Sequence, residues 1–97
     1  MAQTQTIKAV ASEIAVGTNS SLVIEPNAYR VWAALSNGGV TDVWLALGEA
    51  AVTGKGIYLK ANGGAVVFDL NMPWKGEVRG IATAAVNIGL EDVGVVP

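Results

Sequence analysis

Short runs rich in Val, Ile, Trp and Thr recur along this chain, separated by Gly, Asn and Pro at roughly 8–12-residue intervals. Within the runs apolar side chains return at every second position, which is the period of a strand, and no amphipathic helix period stands out. The pattern predicts an all-β protein, either a single antiparallel β-sandwich or a jelly-roll-like domain. The predicted strands are 6–10, 21–25, 29–35, 41–47, 56–60, 65–70, 76–84 and 86–96. Residues 48–56 are expected to hold a helical turn or an irregular crossover.

Composition indicates that one small interior cannot hide all the apolar side chains. The chain has 97 residues, enough for one domain, and is 52% hydrophobic but only 14% charged. Average globular proteins have about 25% charged residues. We therefore expect a homo-oligomer or a subunit docked on another protein, with residues 1–20 as an N-terminal strand or arm and 21–97 as the β-sandwich domain.

The segments 29–35 and 41–47 each carry a tryptophan, and they read as a hairpin around the Gly-rich stretch between them. A two-residue turn at positions 37–38 would place Trp32 opposite Val43. A three-residue loop at 37–39 would instead place Trp32 opposite Trp44 and divide the side chains more coherently between two faces. We favour the three-residue loop, with one of its glycines in a left-handed conformation.

Alternation in the strands then separates a core face from an outer face. The expected core comprises Val31, Ala33, Leu35, Val43, Leu45, Leu47, Ile57, Leu59, Val66, Phe68, Leu70, Val86, Ile88 and Leu90. The expected second apolar surface, facing further copies of the chain or another partner, comprises Trp32, Trp44, Tyr58, Val67 and Ile81. The alternative is that loops bury both sheet faces within one sandwich.

The residue types present argue against catalysis. The chain has no His and no Cys, which removes Ser-His-Asp and Cys-His arrangements and most zinc sites. Its carboxylates are spread without a spacing typical of an acid–base pair or a calcium loop. The sequence therefore predicts a protein that is not an enzyme, with no catalytic residue, no metal site and no cofactor.

Charge and hydropathy also limit the partners. The net charge is −2 and the six basic residues are scattered, so we expect no nucleic-acid partner. The first ten residues lack the charged and apolar regions of a signal peptide, and every apolar run is shorter than the roughly 18 residues of a membrane span. We expect no membrane partner and a soluble protein that is made and used without secretion.

The segment "NMPWKGEVRG", residues 71–80, contains a further candidate contact. Pro73 favours a bend, which would leave Trp74 near an exposed corner beside Lys75. Trp74 and Lys75 are therefore possible ligand or partner contacts, for example by stacking of the indole on a sugar. The alternative is that Trp74 closes the open end of the sandwich.

Residues 29–90 resemble a recurring pattern in small bacteriophage virion proteins. The pattern has an Arg-led strand with an Asn-containing turn, a strand ending in Leu-Gly, an Ala-rich stretch, a Gly-Ile-x-Leu motif, a Gly-Gly turn and a Gly-initiated strand. The matching pieces are Arg30 to Asn37, Val43 to Gly48, Ala50-Ala51, Gly56-Ile57-Tyr58-Leu59, Gly63-Gly64 and Gly76 to Ala84.

The resemblance implies a β-sandwich or jelly-roll module that decorates capsids, forms head fibres or completes tails, often as a homotrimer. It implies a structural viral protein located in the virion and assembled in the host cytoplasm, with a capsid or other virion protein as partner. The favoured function is capsid decoration, and the alternative is a receptor- or carbohydrate-binding module that uses Trp74, Tyr58 or Trp32 as a stacking platform. Residues 1–20 lie outside the resemblance and suit either an arm that reaches a neighbour or an ordinary disordered terminus.

Overall fold

A computed structural model describes residues 6–69, 71 and 73–96, and in these residues the protein is all-β without a helix. The predicted all-β class is confirmed, and every predicted strand has a counterpart. The strands are β1 Thr6–Val16, β2 Ser21–Ile24, β3 Arg30–Asn37, β4 Val43–Leu47, β5 Ile57–Leu59, β6 Gly64–Phe68, β7 Val78–Ala82 and β8 Val86–Val96. Residues 48–56 form an irregular loop with turns between β4 and β5, which pair directly in one sheet, so the expectation of a helical turn or a crossover there is wrong. The first five residues of the expected N-terminal strand or arm lie outside the described residues.

The strands form two four-stranded antiparallel sheets that pack into a sandwich. The first sheet has the order β1-β8-β3-β6 and the second has the order β2-β7-β4-β5. The segment from β3 to β4 runs antiparallel to the segment from β5 to β6, with β3 paired to β6 in the first sheet and β4 paired to β5 in the second. The segments β1–β2 and β7–β8 run together in the same way, with β1 paired to β8 and β2 paired to β7. Each pair of segments is a long ribbon that bends from one sheet into the other. Two bent ribbons wound around one core are the arrangement of a jelly roll.

The predicted hairpin between β3 and β4 is wrong. β3 pairs with β8 and β6 in the first sheet, whereas β4 pairs with β7 and β5 in the second. The chain crosses between the sheets over residues 38–42, so these two strands share no ladder. The expected left-handed glycine is also absent there, since φ is positive at Gly48, Gly54, Gly56 and Gly63 but at neither Gly38 nor Gly39.

Asn37 explains why the chain turns away at this point. Its side chain is fully buried, and its Nδ2 donates hydrogen bonds to the carbonyl oxygens of Thr41, at 2.8 Å, and Leu59, at 3.0 Å. Its Oδ1 accepts from the backbone N–H of Gly39, and its backbone oxygen accepts from Gly63. The buried amide thereby supplies hydrogen-bond partners to backbone groups of the crossing segment and holds this segment against the β5–β6 corner.

The core lies between the sheets, where strand alternation predicted it. The buried apolar side chains are Val16, Val23, Ile24, Ala33, Leu35, Val43, Leu45, Leu59, Phe68, Val78, Ala82 and Ile88. Leu47, Ile57, Val66, Val86 and Leu90 pack against them while partly exposed. Among the predicted core residues, Val31 does not belong to this cluster, and Leu70 lies outside the described residues.

Candidate interaction surfaces

The predicted outer residues lie on two surfaces instead of one. Trp32 on β3 and Val67 on β6 belong to the first sheet. Trp44, Tyr58 and Ile81 belong to the second sheet, on β4, β5 and β7. The expectation that Trp32 and Trp44 share a face is therefore wrong, because the chain changes sheet between them. Trp44 lies between the fully buried Val43 and Leu45, and Trp32 precedes the fully buried Ala33, so both tryptophans project from the outer faces of the sandwich.

Ile81, Trp44 and Tyr58 form a continuous row across the second sheet, which we call the aromatic row. The backbone register places Trp44 directly opposite Ile81 on one side and Tyr58 on the other. The rings of Trp44 and Tyr58 stack with centroids 5.5 Å apart and planes 26° from parallel. Tyr58 is 50% exposed, and the other two side chains are half-buried. Neighbouring strands thus present a contiguous apolar strip to the outside.

The aromatic row is held in place at its Tyr58 end. A hydrogen bond with the Asp42 carboxylate raises the pKa of the Tyr58 hydroxyl, and desolvation and the negative charge of Asp42 raise it further. Asp42 is itself oriented, because its Oδ1 accepts a 2.8 Å hydrogen bond from the backbone N–H of Ala61. Gly56, just before Tyr58 and its strand, has a φ of 88°, and a Cβ there would collide with the Leu45 carbonyl oxygen. Trp44 and Asp42 thus restrain the exposed Tyr58 ring, and Gly56 lets the backbone before β5 pass close to β4.

The surface around Trp32 is flatter and is built mainly from small side chains. Trp32 lies opposite Val93 of β8, and Ala34, two residues along β3, lies opposite Val67 and Glu91. Val67 is 41% exposed, whereas Trp32 is half-buried. This surface therefore presents less aromatic area than the aromatic row does.

Trp74 and Lys75 both make contacts within the chain at one end of the sandwich. The Trp74 side chain packs partly buried against the core, and its Nε1 donates a 3.0 Å hydrogen bond to the Glu77 carbonyl oxygen. Lys75 Nζ donates to the carbonyl oxygens of Ala28 and Arg30, at 3.1 and 2.8 Å. This is the placement that the closing role of Trp74 requires. Contact of either residue with a ligand or partner stays a prediction.

A buried charge lies beneath this end of the sandwich and was not anticipated from the sequence. Arg30 is 3% exposed, and its Nε donates to Asp92 Oδ1 at 2.9 Å. Its Nη1 donates to the carbonyl oxygens of Trp74 and Gly76, and its Nη2 donates to the Glu25 carbonyl oxygen and to Asp92 Oδ2. All five N–H groups of the guanidinium therefore have acceptors. Arg30 on β3 thereby contacts Asp92 on β8, Glu25 just after β2, and residues 74–76, which we call the Trp74 loop. We call the whole arrangement the Arg30 clamp.

Comparisons with protein-family models, with curated proteins and with solved structures found no match. The described residues contain no group of three or more His, Cys, Asp or Glu side chains that could hold a metal ion. In the same part of the chain no helix is long and apolar enough to cross a membrane.

Proposed function

We propose that this chain is a non-enzymatic structural protein of a bacteriophage virion, a capsid decoration protein that is assembled in the host cytoplasm. It acts by associating with its own copies and by binding a capsid protein. The resemblance of residues 29–90 to small virion proteins supports the proposal, and so does the jelly roll, which recurs in viral capsid domains. Since one fold serves many functions, a particular surface must carry the proposal.

The observation that carries the proposal is the aromatic row. Exposed Tyr and Trp side chains are frequent anchors of protein interfaces because they offer a large contact area with little conformational freedom to lose. Tyr58 is 50% exposed yet held by Trp44 and Asp42, so it is already in one position before a partner arrives. The row therefore loses little conformational entropy on binding.

The energy available to such a surface is sufficient for assembly. A tryptophan or tyrosine can bury on the order of 150–250 Å², and apolar burial stabilises by about 25 cal/mol per Å². Part of that area is already covered in the monomer, and association costs must be subtracted. Repetition around a symmetry axis multiplies the gain. The preference for a homotrimer rests on the resemblance, since dimers are the commonest oligomers.

Co-sedimentation with capsids tests the proposal. Capsids purified from the encoding phage and stripped of decoration proteins are mixed with the wild-type chain, with Tyr58→Ser and with Tyr29→Ser. Tyr29 is a matched control because it is 54% exposed and lies outside the aromatic row. We expect the wild type and Tyr29→Ser to pellet at a fixed ratio to the capsid protein and Tyr58→Ser to bind at least tenfold more weakly. Wild-type protein that stays in the supernatant would refute capsid decoration.

A second candidate, a carbohydrate-binding module of a fibre or tail, is favoured by the same exposed ring. Of the three proposed stacking platforms, Tyr58 is exposed, whereas Trp32 and Trp74 are half-buried. A sugar ring can stack on the free face of Tyr58, and Asp42 lies beside it to accept hydroxyl hydrogen bonds. Jelly rolls also occur in lectins.

A glycan array separates the two candidates. Saturable binding of one glycan class by the wild type and Tyr29→Ser, but not by Tyr58→Ser, would favour the carbohydrate module. If no glycan binds while capsids do, capsid decoration stands alone. A change in tryptophan fluorescence on adding the sugar, seen in the wild type and absent in Trp44→Phe, provides an independent measurement, because the Trp44 ring stacks on Tyr58.

A further inference from the structure

The two sheets have four edge strands, and one of them differs from the rest. β1 is 11 residues long, whereas β6, β2 and β5 have 5, 4 and 3 residues. Among the described residues, β1 pairs with β8 alone. In an antiparallel ladder alternate residues direct their backbone groups away from the paired neighbour. About half of the backbone N–H and C=O groups of β1 therefore face outward without a strand to accept them.

Although β1 carries the charged residues Lys8 and Glu13, it lacks three other features that normally prevent an edge from pairing. These are short length, proline and bulges that twist the strand away. The stretch 6–16 contains no proline, and its pairing with β8 runs through all eleven positions without a register shift. By contrast, the β2–β7 and β3–β8 ladders are each interrupted by a shift. β1 thus offers a long and regular edge.

The outer end of β1 adds a second reason for a partner. β3 joins β8 only up to Arg30, which lies opposite Gly94, and Gly94 lies opposite Lys8. Beyond this point positions 6–7 of β1 and 95–96 of β8 form a ribbon with two strands. Two-stranded ribbons are marginally stable alone in water, and a third strand stabilises them.

We infer that the free edge of β1 pairs with β1 of a second copy of the chain, antiparallel about a two-fold axis at Ala11. Ala11 is the midpoint of Thr6–Val16, so this register overlaps all eleven residues and satisfies both free edges together. The pairing joins the first sheets of two copies into one continuous sheet. It rests on β1 and does not depend on the proposed function.

The charges and side-chain sizes of β1 fit this register. Lys8 and Glu13 are its only charged residues. In the antiparallel register position 8 lies opposite position 14, so no like charges are paired, whereas an in-register parallel copy would place like charges opposite each other. At the axis Ala11 lies opposite Ala11 of the second copy, and Ala9 lies opposite Glu13. Ala9 and Ala11 are exposed in the monomer, and their small side chains permit close approach.

Charge reversal at the axis tests the inference. Ala11→Lys places two positive charges opposite each other, and its control is Ala65→Lys, at an exposed alanine on β6, the other edge of the same sheet. By light scattering we expect Ala11→Lys to halve the wild-type mass and Ala65→Lys to preserve it. A mixture of Ala11→Lys with Ala11→Glu should restore the wild-type mass. A wild-type monomer, or an assembly that Ala11→Lys leaves intact, would overturn the inference.

A cysteine variant covers the case in which Ala11→Lys fails to fold. Directly opposite residues of an antiparallel pair have Cα atoms about 4.5–5.5 Å apart, within the range of a disulfide. The chain has no cysteine of its own. We expect mild oxidation to cross-link Ala11→Cys into covalent dimers at least tenfold faster than Ala65→Cys. Equal rates for the two variants would overturn the inference even if capsid binding is observed.

Discussion

At the scale of single residues, the Arg30 clamp is the most demanding feature of the fold. Removing a charged side chain from water is costly unless all of its donors find acceptors. Arg30 meets this condition through Asp92 and three backbone carbonyl oxygens. The clamp therefore fixes the Trp74 loop against the ends of three strands. Its loss would leave Asp92 partly buried without a counter-charge.

We predict that Arg30→Met lowers the free energy of unfolding by about 3–5 kcal/mol, the usual cost of removing one partner from a buried pair. Arg79→Met is the control, because Arg79 is partly exposed and its ion pair with Glu77 is 4.0 Å long. The control should lose less than about 1 kcal/mol. Urea denaturation measures both. Equal losses in the two variants would show that the clamp does not stabilise the fold.

The Tyr58 hydroxyl provides a test of the aromatic row by pH. Since its neutral form donates to Asp42, the folded state raises the pKa of Tyr58 above the unfolded value. The stabilisation is complete below the unfolded pKa and is lost as the pH rises through the folded one. We predict that Asp42→Asn lowers the pKa of Tyr58, measured by phenolate absorbance in a Tyr29→Phe background. Glu25→Gln, at the opposite edge of the second sheet, should leave it unchanged; a similar shift in both variants would contradict the contact.

At the scale of strands, alternation was sufficient to locate each strand and most of the core, but it did not predict which strands pair. Side-chain parity shows which side of its own strand a residue occupies and carries no information on the sheet that the strand joins. The prediction that Trp32 and Trp44 lie on the outside of the sandwich was therefore correct, but the prediction that they share one face was wrong. The decisive residue is Asn37, whose side chain bonds to Leu59, 22 positions away. No local sequence pattern predicts that contact.

Long-range partners explain the other differences between prediction and structure. β1 continues to Val16, six residues beyond the predicted end, because its second half pairs with positions 86–91 of β8. The Arg30–Asp92 contact spans 62 positions, so the sequence showed an isolated charge in an apolar strand without its partner. Tyr58 was recognised by its alternation with apolar neighbours, whereas its contact with Asp42 became visible only in the folded chain.

We predict that Asn37→Leu destabilises the protein by about 2–4 kcal/mol. The substitution keeps an apolar core but leaves the carbonyl oxygens of Thr41 and Leu59 without their donor, and each unpaired buried group costs about 1–3 kcal/mol. Asn87→Leu, at an exposed site on β8, should change stability by less than about 0.5 kcal/mol. Urea midpoints compare them. If the midpoints of the two variants agree, Asn37 does not hold the crossing.

At the scale of the whole molecule, the two proposed contacts occupy separate parts of the sandwich. The aromatic row covers the outer face of the second sheet, and the β1 edge ends the first. Both can therefore be occupied together. Three-fold association through the row and two-fold association through β1 combine into a closed hexamer when the two-fold axes cross the three-fold axis at right angles, and each contact can then be removed without the other.

The mass of the assembly in solution shows whether the aromatic row is an interface between copies of the chain. Light scattering should find the wild type and Tyr29→Ser as hexamers at micromolar concentration. Trp44→Ser and Tyr58→Ser should fall threefold in mass, to dimers held by β1, while Ala11→Lys falls twofold, to trimers. A wild-type monomer, or row variants that are folded by circular dichroism and keep the wild-type mass, would contradict the account.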